Sequence, residues 1–118
     1  MPSDPCVSDT QPFQVTDGQP VTLKVTIGNT MVGATTLVMK GQTSNLPPGG
    51  EAVIGKGEEV RDLVLHTITT VTDTNPETNL TVVTYDLQCG ANKFSKEYSV
   101  KVNDPDGHAL YLIDFMFF

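Results

Sequence analysis

The chain reads as all-β, a single antiparallel β-sandwich of about eight strands. Three observations predict this. Val, Leu, Ile and Thr alternate with polar residues in short runs, the period of a pleated strand with one buried face. Turn pairs such as Asp17-Gly18, Gly28-Asn29 and Asp106-Gly107 punctuate those runs. No stretch carries the spacing of a convincing amphipathic helix, and short links between many strands indicate a sandwich or barrel.

Taken in order, residues 1–12 contain Pro2, Pro5 and Pro12 and read as an extended N-terminal arm. The sandwich domain then spans 13–118. Phe13 to Val15 is a short strand. Val21, Leu23, Val25 and Ile27 alternate strictly with Thr22, Lys24 and Thr26, which predicts a half-buried strand. Gly28-Asn29 has the composition of a two-residue primed turn, which would keep its flanking strands in one sheet. A strand resumes near Thr30 and runs to Lys40, with a bulge or bend at Gly33-Ala34. Residues 41–50 read as a loop, Ala52 to Ile54 as a short strand crossing an edge, and 55–59 as a turn.

The longest regular signal is Val60 to Cys89. Two Val/Thr/Leu-rich runs flank a polar tip at 73–79, which predicts a long β-hairpin. Phe94 to Val102 and Ala109 to Phe118 add two more strands, the last apolar on both faces with Asp114 its one charge. The strand bearing Tyr85 and Cys89 loosely resembles an immunoglobulin-type strand. Its Tyr-to-Cys spacing departs from that pattern and the chain has no tryptophan, so the resemblance implies a sandwich and no family.

With 118 residues and 12.7 kDa the chain is the size of one domain and needs neither metal nor disulfide to fold. Fourteen acidic residues against seven basic ones give a net charge of −7, which disfavours nucleic acid and anionic membrane surfaces as partners. Cys6 and Cys89 belong to no Cys-x-x-Cys pair, so zinc and thioredoxin-like readings fail. The two either form one disulfide tying the N-terminus to the hairpin or stay free thiols. No secretory leader and no membrane span is visible. With Met1 as the native start, the expectation is a soluble cytoplasmic protein.

Several patterns resemble chemistry. Gly50 to Lys56 fits the first seven positions of a phosphate-binding P-loop, but Gly57 stands where Ser or Thr must hold magnesium, so a loop with a chance lysine is expected. His66 and His108 lie in no catalytic signature and read as packed or surface residues. Tyr85, Tyr98 and Tyr111 can form sugar-stacking platforms, although their alternation with aliphatic residues favours core packing. Asn79-Leu80-Thr81 is a formal glycosylation sequon. The alternating final strand resembles one strand of an outer-membrane barrel, yet the other strands lack a lipid-facing band.

One acidic group carries a specific expectation. Asp73, Asn75 and Glu77 fall at alternate positions of the hairpin tip, a spacing of oxygen ligands suited to calcium. If residues 60–118 form a meander, Asp104 and Asp106 come to the same end. The set Asp73, Asn75, Glu77, Asp104 and Asp106 then binds a hard cation or is a plain solvated turn. The expected role is non-enzymatic: a structural or protein-interaction module, self-associating through its C-terminal strand. The alternative is a carbohydrate- or calcium-binding module using the acidic end. Beyond that calcium, no cofactor is expected.

Overall fold

A computed structural model describes residues 5–29, 31–46, 50–75, 77–102 and 107–118. Among them the chain is nearly all β, with nine strands and one four-residue helix. The elements are β1 (Cys6–Phe13), β2 (Pro20–Ile27), β3 (Val32–Met39), β4 (Gln42–Leu46), β5 (Glu51–Lys56), α1 (Gly57–Val60), β6 (Val64–Thr72), β7 (Leu80–Cys89), β8 (Asn92–Lys101) and β9 (His108–Phe117). They form two packed sheets, one of five strands in the order β1-β9-β6-β3-β4 and one of four in the order β5-β2-β7-β8. Every pairing is antiparallel except β1 with β9, which is parallel.

The alternation seen in the sequence becomes the core. On β6, Leu65 and Val71 point inward and Val64, His66 and Ile68 outward. On β9, Tyr111, Ile113, Phe115 and Phe117 are buried while Met116, like Phe118 just beyond the strand, is exposed. Each fully buried aliphatic or aromatic side chain contributes about 1.5–3 kcal/mol of transfer free energy. Two tyrosine hydroxyls also tie the layers together. Tyr85 OH on β7 meets Thr69 Oγ1 on β6 at 2.7 Å, and Thr69 in turn meets Thr35 Oγ1 on β3 at 2.9 Å. Tyr111 OH on β9 crosses the other way, to Thr81 on β7.

Several expectations change. The hairpin from Val60 to Cys89 does not form: β6 lies in the five-stranded sheet and β7 in the four-stranded one. Seven residues separate Thr72 from Leu80, ample to span the ~10 Å between packed sheets, so nothing forces the two strands to pair. Gly28-Asn29 likewise opens a crossing from β2 to β3 rather than a turn within one sheet. The true two-residue hairpins are Lys40-Gly41, with φ of 53° and 72°, and Gly90-Ala91, with φ of 59° at Gly90. From Cys6 onward the expected N-terminal arm is strand β1, hydrogen-bonded along β9. Finally, the loop expected at 41–50 contains β4, and the turn at 55–59 holds α1, where Glu59 accepts the Lys56 N–H at 2.9 Å. The stretch Gly50 to Lys56, expected to be a loop with a chance lysine, is therefore strand β5 running into a single helical turn.

Candidate functional site

The two outer faces differ in chemistry. On the four-stranded sheet the outward positions include Lys24, Glu51, Asp86, Lys93, Glu97 and Lys101, an ordinary solvated surface. They frame an open depression of about 420 Å³ lined by Lys24, Glu51, Asp86 and Lys93. Its charges nearly cancel, since Lys24 lies opposite both Asp86 and Glu51 in the strand register.

Among the described residues, the outer face of the five-stranded sheet carries one carboxylate, Asp114, and no lysine or arginine. Asp114 is itself engaged, with Oδ1 3.0 Å from His66 Nδ1 on β6. Around this pair lie apolar side chains that register brings together: Met116 opposite Val64, and Leu112 opposite Ile68. Val64, Ile68, Met116, Phe118 and Val32 are 36–55% exposed. A charge-depleted apolar patch of this kind marks a contact surface more often than a solvated one.

β9 carries this patch on a face and not on an edge. β1 and β6 pair with it on both sides, so of the two ways in which the C-terminal strand could meet another chain, by a face or by its edge, the edge is occupied and the face is open. The sequence showed the aromatic strand but missed the face, because Val64, Ile68, Leu112 and Met116 become neighbours only through the β6–β9 register.

The acidic end is partly described. Although β6 and β7 do not pair, 73–79 and Gly107 do come to the same end: Asp73 N–H donates to Gly107 O at 2.9 Å. Asp104 and Asp106 lie outside the described residues. Asp73 is 2% exposed; its Oδ1 accepts the Asn75 N–H at 3.1 Å. Its Oδ2 is the one buried side-chain oxygen among the described residues that has no partner. Asn75 Oδ1 accepts the Glu77 N–H and its Nδ2 donates to Asn29 O, so these side chains also organise the loop backbone. No group of three or more His, Cys, Asp or Glu positioned for a metal occurs among the described residues.

The remaining candidates resolve as structure. Cys6 and Cys89 are free and do not pair. Cys6 opens β1 beside Leu110, whereas Cys89 takes a hydrogen bond from Thr16 N–H just beyond the far end of β1. An eight-residue strand separates the two ends by roughly 23 Å, against a limit of about 7 Å between bridged Cα atoms. All three tyrosines are buried, so none offers a ring face for stacking on a sugar. His108 Nδ1 meets Thr72 Oγ1 at 3.0 Å on an exposed cross-strand pair. No helix among the described residues is long and apolar enough to cross a membrane.

A polar clasp was not foreseen from the sequence. Asp9 points inward from β1, where its Oδ2 accepts Tyr98 OH at 2.7 Å, Gln11 Nε2 at 2.7 Å and Lys96 Nζ at 3.2 Å. Those bonds, Gln11 first, hold its carboxyl well below the ordinary range. Burial, and then Asp9 itself, push the Tyr98 hydroxyl up. The clasp joins β1 to β8 and closes that side of the two layers. The signal available in the sequence was a charge at an alternate position of a strand otherwise free of charge.

No family model, curated protein or solved structure matches the chain.

Proposed function

We propose that the protein is a non-enzymatic β-sandwich interaction module that associates with a second copy of itself through the outer face of its five-stranded sheet. The observation that carries this reading is the contrast between the two outer faces in a chain of net charge −7. Two such chains repel one another wherever their acidic surfaces meet, and this face holds a single, already paired, carboxylate. Five strands about 4.8 Å apart, about eight residues long at about 3.3 Å each, span roughly 600 Å² of flat area. A standard interface needs about 800 Å² of accessible surface per partner, which side-chain relief on such a face approaches.

Sedimentation of the wild type and of an Ile68→Lys/Met116→Lys variant tests this. Both positions are exposed, so the variant is expected to keep its melting temperature and lose the face-to-face association. A variant that assembles as the wild type does would overturn the reading.

A second reading places a hard cation at the loop end, favoured by the unpartnered Asp73 Oδ2. It predicts a rise in melting temperature with millimolar calcium that Asp73→Asn abolishes. Identical melting curves with and without calcium would remove it.

A further inference from the structure

The one carboxylate on the outer face of the five-stranded sheet is paired with a group whose charge changes with pH. Asp114 lies directly opposite His66 in the β6–β9 register, and its Oδ1 is 3.0 Å from His66 Nδ1. A histidine changes charge between pH 5 and 8. With His66 neutral the pair carries one negative charge. With His66 protonated it carries none.

Among the described residues, nothing else beside the pair compensates that charge. β6 offers Val64 and Ile68 there, and β9 offers Leu112 and Met116. β3 offers Val38 opposite His66 and Thr36 opposite Ile68. One strand further out, the same row ends in Thr43 on β4 and Thr10 on β1. His108 is six residues from Asp114 along β9, roughly 20 Å away, where it meets Thr72. Lys40 and Asp62 are exposed, opposite in sign, and lie in the links after β3 and before β6, outside the sheet.

We infer that association through this face is coupled to proton uptake at His66, so that a second copy docks more tightly in mild acid than in mild alkali. The inference rests on face-to-face association and adds its control. Docking withdraws the face from water. A charge withdrawn without compensation is penalised far more than a hydrogen-bonded pair of zero net charge. With His66 neutral, each copy brings an uncompensated negative charge to the contact, and the two charges have the same sign. With His66 protonated, each copy brings a neutral pair. Association therefore takes up protons, so by linkage it is favoured as pH falls and lost as pH rises.

The chain has two histidines, so a His108→Gln parent leaves His66 as the one that titrates. Sedimentation of this parent is compared at about pH 8 and about pH 5, in ~1 M salt, where repulsion between the remaining charges reaches only about 3 Å. Its dimer is expected to tighten about tenfold or more toward acid. Adding His66→Gln is expected to give the same Kd at both pH values. Adding Asp114→Asn instead is expected to reverse the trend, because protonated His66 then places a lone positive charge on the face. The side chains of His66 and Asp114 are 52% and 34% exposed, and melting curves check that each variant is folded. A parent dimer with one Kd at both pH values overturns the inference and leaves face-to-face association standing. So does a His66→Gln dimer that still tightens toward acid, or an Asp114→Asn dimer that does not reverse. A parent as monomeric at both pH values as the Ile68→Lys/Met116→Lys chain overturns both.

Discussion

Tyr85 and Tyr111 do corresponding work from opposite sheets: each lays a ring in the core and reaches a threonine hydroxyl in the other layer. A buried hydroxyl without a partner would cost about 1–3 kcal/mol, so the threonines Thr69 and Thr81 are as necessary as the rings. Burial pushes the Tyr85 hydroxyl up to about 12 from an ordinary 10.0. Its folded value is raised, so its contribution to stability is complete below pH 10 and is lost as pH rises through about 12. Tyr85→Phe leaves Thr69 bonded to Thr35 and is expected to cost about 1 kcal/mol near neutrality. The gap between the two proteins should shrink when chemical denaturation is repeated above pH 10, and a constant gap would place the hydroxyl outside the core network.

At the scale of elements, β1 is the strand with least apolar support. Its inner face offers Val7, Asp9, Gln11 and Phe13, and only Phe13 is fully buried. What holds it is the ladder with β9, the edge-on contact of Phe13 with Phe117, and the Asp9 clasp. The Asp9 carboxyl is lowered on folding, so its contribution is present above its unfolded value of 3.8 and disappears as pH falls through the depressed folded one. Asp9→Asn is expected to speed amide exchange across residues 6–13 at neutral pH, with β6 and β7 unaffected. The difference from wild type should narrow in acid below pH 3.8. Uniform acceleration across both sheets would show that β1 unfolds only with the whole molecule. Gly57 packs where an added Cβ would lie 2.1 Å from Thr16 O, so Gly57→Ala is expected to destabilise by more than the ~1 kcal/mol typical of a point mutation, read from the denaturation midpoint.

For the molecule as a whole, charge is sorted by surface. The outward positions of the four-stranded sheet alternate in sign, while the five-stranded sheet turns a nearly uncharged face outward. Net repulsion between copies reaches about 10 Å at 0.1 M salt and about 3 Å at 1 M. Association through the outer face of the five-stranded sheet is therefore expected to strengthen as salt is raised, the reverse of an interface built on ion pairs.

Much of the architecture was legible in the chain. Strict alternation at Val21 to Ile27 determined which side chains face the core, because the two-residue period of a strand is a local property; at Leu63 to Val71 and Ala109 to Phe117 it determined the two faces, but both carry apolar residues, and only the packing decided which one is buried. The class, all β and in two layers, followed from those runs and the turns between them. Which strands pair did not follow. A seven-residue link serves a hairpin and a crossing between sheets equally well, and β4, four uncharged polar residues before Leu46, has no apolar alternation to mark it as a strand. The common end shared by 73–79 and Gly107 was foreseen, though from a meander that does not exist: strand direction alternates whether the chain turns within a sheet or between sheets. The candidate surfaces were hidden for the same reason. The outer face and the Asp9 clasp join residues far apart in the chain, and only the register of β6 with β9 and the packing of β1 over β8 bring them together.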